Sequence, residues 1–127
     1  MIKTPENKRI LVVDDDAETR DILCSILIER KFIVEKACNG KDALKKIGIN
    51  KPDIILLDYL MPVMDGMEAC RKIKNDPETR AIPIILCSAT HIKKGKDGKM
   101  RVDGYLEKPF TIEKLFRKID TLLKTQN

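Results

Sequence analysis

Three short runs in this sequence consist almost wholly of apolar residues, and they constrain the fold more than any other feature. They occupy residues 10–13, 54–57 and 84–87. Strands without polar alternation are typical of a parallel sheet whose two faces are both covered by helices. Two further β-rich runs, 32–37 and a weaker 105–107, bring the number of predicted strands to five.

Stretches of helical period separate most of these runs. Asn39, Asp65 and Thr111 are predicted N-caps of the later helices, and Asp65 with Glu68 resembles a capping box. The apolar stripes of the first and last helices are predicted to be buried, and their members are Ile22, Leu23, Ile26, Leu27, Ile112, Leu115, Phe116, Ile119, Leu122 and Leu123. The alternation predicts the α/β class, built from βα units around a parallel sheet.

The connection between the fourth and fifth strands breaks the pattern. It has internal glycines, each costing about 1 kcal/mol in a helix relative to alanine, and a basic run over residues 93–101. We therefore expect an atypical or short fourth helix, distorted or mobile. The basic run predicts a solvated face, with a docking patch as the alternative.

Length and composition favour one soluble domain. A chain of 127 residues can bury a full core, so we expect a single domain over 1–127 with its core at about 8–125. No apolar run approaches the roughly 20 residues needed to span a bilayer, and the N-terminus lacks the apolar segment of a signal peptide. We therefore predict a cytoplasmic protein without a membrane partner.

The cysteines and the single histidine, His91, argue against a zinc or redox centre. The cysteines lack a C-x-x-C pair and lie in or beside apolar segments, so they are predicted to be buried apolar thiols; they are Cys24, Cys38, Cys70 and Cys87. One histidine cannot build a histidine cluster, and His91 is predicted to be an exposed loop residue.

Polar residues follow the carboxyl ends of four predicted strands. Asp14 and Asp15 follow the first, Asp58 the third and Ser88 the fourth, and the fifth runs into Lys108. In an open parallel sheet these ends lie at the edge where ligands bind. Three acids, a hydroxyl and a lysine are therefore predicted to converge on one site.

The chemistry of that set favours Mg²⁺ and a phosphoryl group. Clustered acids raise one another's pKa values unless a cation neutralises them, and Mg²⁺ prefers carboxylate, water and phosphate oxygens. A lysine and a hydroxyl beside the metal could bind a phosphoryl group. The remaining carboxylate could accept that group covalently.

Five segments in this order and spacing make the chain similar to a known family. The segments are "LVVDDD", "NGKDAL", "PDIILLDYLMPVMDG", "PIILCSA" and "GYLEKPF". Together they resemble the response-regulator receiver domain of two-component signalling, including single-domain receivers like the chemotaxis regulator. The resemblance implies a flavodoxin-like, doubly wound five-stranded parallel sheet in the order 2-1-3-4-5.

The resemblance also implies residue roles. Asp58 would be the phosphoacceptor, receiving its phosphoryl group from a phosphohistidine of a sensor histidine kinase or a phosphotransfer protein. Asp15 would bind Mg²⁺ directly and Asp14 mainly through a water. Leu60 would contribute only its backbone carbonyl to the metal.

Three further positions match the family's switch. Ser88 would be the hydroxyl that bonds the phosphoryl oxygen, Lys108 the lysine that pairs with it, and Tyr105 the aromatic residue whose rotamer reports the state. The bond between Lys108 and Pro109 is expected to be cis. Asp16 is instead assigned to the first turn of the following helix, where the helix dipole favours an acid.

Two other functions remain as alternatives to a signalling phosphoacceptor that is not a conventional enzyme. One is a receiver-like binding module that no longer switches and uses the basic run on nucleic acid. We do not expect nucleic acid as a partner, because no aromatic residues interleave the lysines to stack bases. The other is an aspartate-based phosphohydrolase, but Leu60 occupies the place of its usual second acid. The downstream protein partner is unknown.

Overall fold

The computed structural model describes residues 7–89 and 102–124, and over these residues it contains five strands and four helices. The elements in chain order are β1 Arg9–Val13, α1 Ala17–Glu29, β2 Ile33–Ala37, α2 Gly40–Ile49, β3 Ile54–Asp58, α3 Gly66–Asn75, β4 Ile84–Ser88, β5 Gly104–Glu107 and α4 Ile112–Lys124. The expected short helix between β4 and β5, the basic run 93–101 and His91 lie outside the described residues. The helix after β5 is therefore numbered α4.

The strands form one parallel sheet in the order β2-β1-β3-β4-β5, so the predicted fold class and strand order are confirmed. Every residue of β3 and β4 is buried, as their apolar sequences require. β2 lies at one edge of the sheet, and its middle positions include the charged residues Glu35 and Lys36. The order reverses between β1 and β3, which places the carboxyl ends of these two strands beside the crevice used by ligands in such sheets.

Two apolar layers cover the sheet, because successive strand residues point to opposite faces. Ile10 and Val12 pack with residues of α1 and α4, including Leu27 and Ile119. The opposite layer contains Leu11, Val13, Ala43, Ile47, Ala69 and Ile73, and joins the sheet to α2 and α3. The core therefore packs against both faces of the sheet.

Two apolar residues predicted to be buried are not. Ile22 is 54% exposed and Ile112 is 51% exposed. Both line a shallow groove between α1 and α4, and no element among the described residues covers it. Ile22 also lies about 100° around α1 from the buried Leu23, since adjacent helical residues differ by that angle.

Side-chain caps fix where the helices begin. Asn39 Oδ1 accepts from the Asp42 N–H at 2.8 Å, and Asp65 Oδ1 accepts from the Glu68 N–H at 2.9 Å. Thr111 Oγ1 accepts from the Lys114 N–H at 3.1 Å. These three predicted caps are confirmed, and the Asp65 cap starts α3 directly after the loop that follows β3.

The prediction for the cysteines is wrong at one position. Cys24, Cys70 and Cys87 are buried, whereas Cys38 is exposed. Cys38 follows the edge strand β2, and its backbone N–H donates to Asp42 Oδ2 at 3.1 Å. Burial raises the pKa of the Cys70 thiol to about 11 and that of Cys87 to about 12. Within the described part of the chain, no helix has the length and apolarity to cross a membrane.

Candidate functional site

Three carboxylates meet at the carboxyl edge of the sheet. Asp14 follows β1 directly, Asp15 comes next, and Asp58 is the last residue of β3. Carboxylate oxygens of the three residues all lie within 4.8 Å of one another. Asp14 and Asp58 are buried and Asp15 is exposed. The predicted convergence of these acids is confirmed, with one member of the cluster facing solvent.

The backbone around Asp14 is fixed by several hydrogen bonds. Its N–H donates to the Ala37 carbonyl at 3.1 Å, and its own carbonyl accepts from Arg20 Nη1 at 2.8 Å. Asp14 Oδ1 accepts from the Asp16 N–H at 3.0 Å. The sequence interpretation missed Arg20, and the available signal was a cation in the first turns of α1, six residues after Asp14.

The Asp16 carboxylate is not part of this cluster. Asp16 is the N-cap of α1, where its Oδ2 accepts from the Thr19 N–H at 2.9 Å. A bond from the Thr19 hydroxyl to the same oxygen, followed by this backbone bond, lowers the pKa of Asp16. Asp16 therefore starts the helix as predicted, although it is the cap itself and not a residue of the first turn.

Lys108 joins the two buried acids. Its Nζ donates to Asp58 Oδ1 at 3.1 Å and to Asp14 Oδ2 at 3.4 Å. The backbone N–H of Lys108 donates to the Ser88 carbonyl at 2.7 Å. The bond between Lys108 and Pro109 is cis, as expected. The end of β5 thus presents one cation to three carboxylates.

The pKa directions show an imbalance of charge. Burial, followed by the charge of Asp14, raises the pKa of Asp58 despite the bond from Lys108. Burial alone would lower the pKa of Lys108, but the charges of Asp14 and Asp58 outweigh it and raise that pKa. One ammonium group therefore does not compensate the acids, and the edge favours a further cation.

A glycine supports the loop that follows Asp58. The Gly66 N–H donates to the Tyr59 carbonyl at 2.8 Å. A Cβ at Gly66 would lie 2.3 Å from the Asp58 carbonyl oxygen, so only glycine fits there. In the same loop Val63 has φ 70°, a left-handed conformation that β-branched residues rarely adopt. The loop that follows Asp58 is therefore both tightly packed and strained.

Ser88 and Tyr105 lie on the strands beside the acids. Ser88 is buried at the end of β4. Tyr105 is partly buried in β5, packs against the layer that contains α3, and has a pKa raised by burial. The side chain of Leu60 is exposed in the loop after Asp58. The roles assigned to these three residues stay predictions.

The donors at this edge suit a hard cation. The cluster offers carboxylate oxygens alone, which are ligands preferred by Mg²⁺. Cys87 is paired in register with Asp58, but its side chain packs in the layer that contains α1 and α4 and is not among the clustered ligand groups. Thiolates, which zinc favours, are therefore not provided by this residue.

The model of the response regulator receiver domain matches residues 10–120. Because that match covers most of the sequence, the chain belongs to the response regulator receiver domain family, and two-component signalling is its setting. The match includes all the site residues described above.

Known proteins of this kind are similar over nearly the whole chain. Response regulator MprA of Mycobacterium sp. (strain KMS) is 35% identical over 116 residues, which cover 91% of this chain and 50% of the relative. The chain thus spans about half the length of the curated relatives it matches.

Two solved structures illustrate the shared fold. Chemotaxis response regulator CheY4 of Vibrio cholerae has a TM-score of 0.84 at 28% identity, covering 91% of this chain and 98% of that one. Response regulator TrrA of Thermotoga maritima, solved in complex with Mg²⁺ and BeF, has a TM-score of 0.82 at 33% identity, with the same two coverages.

Proposed function

We propose that this receiver domain is a phosphoacceptor. Asp58 takes a phosphoryl group from a phosphohistidine of a sensor histidine kinase or a phosphotransfer protein, with Mg²⁺, and the modification switches a protein-binding surface. The observation that carries the proposal is the contact of Lys108 Nζ with Asp58 inside a cluster of three carboxylates. Such a cluster combines an acceptor oxygen with the charges that bind a metal and a phosphoryl group.

Asp14, Asp15, Asp58 and the Leu60 backbone carbonyl would hold the Mg²⁺ ion. Bound there, the cation neutralises charge on the phosphoryl oxygens. Both carboxylate oxygens of Asp14 already accept hydrogen bonds, from the Asp16 N–H and from Lys108 Nζ. This supports a role for Asp14 through a water, whereas the exposed Asp15 is free to approach the metal directly.

Asp58 would act as the nucleophile. One of its carboxylate oxygens attacks phosphorus, an O–P bond forms, and the P–N bond to the donor histidine breaks. Positioning and charge neutralisation supply most of the catalysis in such transfers, and here Lys108 supplies part of both.

Ser88 and Tyr105 would convert phosphorylation into a new surface. A phosphoryl group adds charge and acceptor oxygens beside the ends of β4 and β5. The Ser88 hydroxyl would donate to one of these oxygens while Lys108 pairs with another. Movement of these strand ends would change the packing of Tyr105 and hence the surface offered to a downstream protein. The chain would carry out this cycle in the cytoplasm as a signalling protein.

Phosphoryl uptake tests the proposal directly. Wild type, Asp58→Asn and the control Asp21→Asn are incubated with acetyl phosphate and Mg²⁺, and intact masses are measured. Wild type and the control, which changes an exposed acid of α1, are expected to gain one phosphoryl mass, and chelation of Mg²⁺ should prevent the gain. Asp58→Asn should gain none.

Two results would contradict the assignment. The phosphoacceptor function fails if wild type gains no mass under these conditions. Asp58 is the wrong acceptor if Asp58→Asn gains as much as wild type. A phosphohydrolase would instead release phosphate from small phosphate esters at many turnovers per chain, which a phosphate-release assay on the same samples detects.

A further inference from the structure

A second lysine is buried at the opposite, amino edge of the sheet. The side chain of Lys74, in the last turn of α3, is 9% exposed. Its Nζ donates to the Arg80 carbonyl at 3.0 Å, the Ile82 carbonyl at 2.8 Å and Asp103 Oδ2 at 2.9 Å. An ammonium group has three donors, so Lys74 is fully satisfied by these partners.

Asp103 connects this lysine to two strands. Its Oδ2 also accepts from the Ile84 N–H at 2.8 Å, and its backbone N–H donates to the Ile84 carbonyl at 2.9 Å. Ile84 is the first residue of β4, and Asp103 directly precedes β5. The Lys74–Asp103 pair therefore joins α3 to the starting points of β4 and β5.

β5 needs such an anchor more than the other strands do. It has four residues and, among the described residues, pairs only with β4, through Ile85–Gly104, Leu86–Tyr105, Cys87–Leu106 and Ser88–Glu107. A slip of one residue would turn each side chain to the other face of the sheet. A slip of two would move Lys108 by about 6.6 Å, out of reach of Asp58.

We propose that Lys74 and Asp103 are positioning residues for Lys108: by fixing where β5 begins, they fix where it ends and hold the Lys108 ammonium against Asp58. In this pair the Lys74 side chain is buried and that of Asp103 is 37% exposed. Ion pairs with a buried member are often no more stabilising than apolar substitutes, and setting register is among their best-attested uses. The β4–β5 pairing connects the Lys74–Asp103 pair to Lys108 over a short distance. At the carboxyl end of this pairing the Lys108 N–H donates to the Ser88 carbonyl.

Amide hydrogen exchange tests the anchor without any phosphoryl chemistry. The variants are Lys74→Met and Asp103→Ala, with Asp103→Asn as the conservative variant and Asp21→Ala as an exposed control. In the first two, protection of the Lys108 amide should fall about tenfold more than that of the Asp14 amide, because local opening is confined to β5. Asp103→Asn keeps an oxygen that can accept from both partners, so it should retain protection.

A second experiment asks whether the effects of substitutions at Asp103 and Lys108 on phosphoryl uptake are additive. It rests on the proposed phosphoacceptor function. Asp103→Ala should slow phosphoryl uptake from acetyl phosphate by about tenfold or more, since misplacement by an ångström can cost a hundredfold. In a Lys108→Met background the same substitution should cost nothing further, because residues acting through one group are not additive.

Several results would overturn the proposal. Equal loss of protection at the Lys108 and Asp14 amides would show a general loss of stability, and unchanged protection in a folded Asp103→Ala would show no anchor. If Asp103→Ala slows phosphoryl uptake as much in the Lys108→Met background as in wild type, Asp103 does not act through Lys108. Failure of both Lys74→Met and Asp103→Ala to fold would make the pair a plain stability requirement. If wild type takes up no phosphoryl group, the proposed function fails. Amide hydrogen exchange then still tests whether Lys74 and Asp103 fix the position of β5.

Discussion

The two edges of the sheet each hold a lysine bonded to a carboxylate, but the two clusters differ in charge balance. At the amino edge Lys74 faces one carboxylate and two carbonyls, and all its donors are used. At the carboxyl edge Lys108 faces a cluster of three carboxylates. The lysine and the carboxylate at the amino edge balance each other in charge, whereas the carboxyl edge retains repulsion that a bound cation can relieve. Charge balance thus separates a structural cluster from a functional one in the same sheet.

We expect the largest disruption of the carboxyl edge from Gly66→Ala, which changes the residue packed against the Asp58 backbone. The new Cβ would lie 2.3 Å from the Asp58 carbonyl oxygen and 2.9 Å from Tyr59 Cα, so backbone must move. We expect a loss of about 3 kcal/mol or more in the free energy of unfolding, measured by urea denaturation. Gly48→Ala is the matched control, because nothing lies within 4 Å of its Cβ position in α2. It should gain up to about 1 kcal/mol, and a similar loss in both variants would contradict the close approach at Gly66.

At the amino edge, Lys74→Met removes the three hydrogen bonds that Lys74 Nζ donates. Removing the ammonium leaves the Arg80 and Ile82 carbonyls without this donor. The Asp103 carboxylate, which is 37% exposed, keeps the bond from the Ile84 N–H, and we expect a loss of about 2–3 kcal/mol. Lys36→Met is its control, since the Lys36–Asp21 pair is 3.0 Å long against 2.9 Å for Lys74–Asp103, but its side chains are 52% and 60% exposed. That substitution should change the free energy of unfolding by less than about 0.5 kcal/mol. Comparable urea midpoints for the two variants would remove the distinction between a buried lysine and a solvated one.

The repulsion at the carboxyl edge gives a pH test with Asp58→Asn. Burial and Asp14 raise the folded-state pKa of Asp58 above the ordinary value of 3.8. For a raised acid, the stabilisation is fully present below the unfolded value and is lost as pH rises through the folded one. Asp58→Asn should therefore be more stable than wild type at neutral pH without Mg²⁺, by about 1 kcal/mol.

This advantage should shrink as pH falls through the raised pKa towards 3.8. Thermal unfolding of both proteins at several pH values measures the difference, with a chelator present. Added Mg²⁺ should narrow the gap at neutral pH by stabilising wild type. An advantage for Asp58→Asn that does not depend on pH would argue against the repulsion.

The smallest expected effects come from two residues with left-handed backbone, one beside each end of the sheet. Val63 has φ 70° in the loop after Asp58, and Lys31 has φ 73° after α1. Glycine at either position relieves strain of about 1–2 kcal/mol but loses about 0.5–1 kcal/mol through its flexible unfolded chain. Val63→Gly should gain about 1 kcal/mol and Lys31→Gly about 0.5 kcal/mol in urea unfolding. A loss in Val63→Gly would show that its side chain stabilises the loop more than its backbone strains it.

Much of the sheet and the acid cluster could be predicted from the sequence. The apolar runs of β1, β3 and β4 predict buried parallel strands, and the acids after two of them must then lie at one edge. The strand order came from the resemblance, which carries information that periodicity lacks. Asp16 could be separated from the metal candidates because a helix begins directly after it.

Features that depend on tertiary packing could not be predicted. Lys74 and Asp103 are 29 residues apart and look like surface charges, and the lysine is buried because the chain between α3 and β4 folds around its ammonium. Ile22 and Ile112 fit a helical stripe but lie at an uncovered groove. Their exposure depends on which elements surround them, and a period of 3.6 residues does not contain that information.

The exposed Cys38 offers a chemical handle that the natural chain already possesses. Three other thiols are buried, and the raised pKa values of Cys70 and Cys87 make them poor nucleophiles. A maleimide fluorophore should therefore label Cys38 selectively. Since Cys38 is the next residue after Ala37, whose carbonyl bonds the Asp14 N–H, we expect the fluorescence of such a dye to change when a ligand binds at the acid cluster.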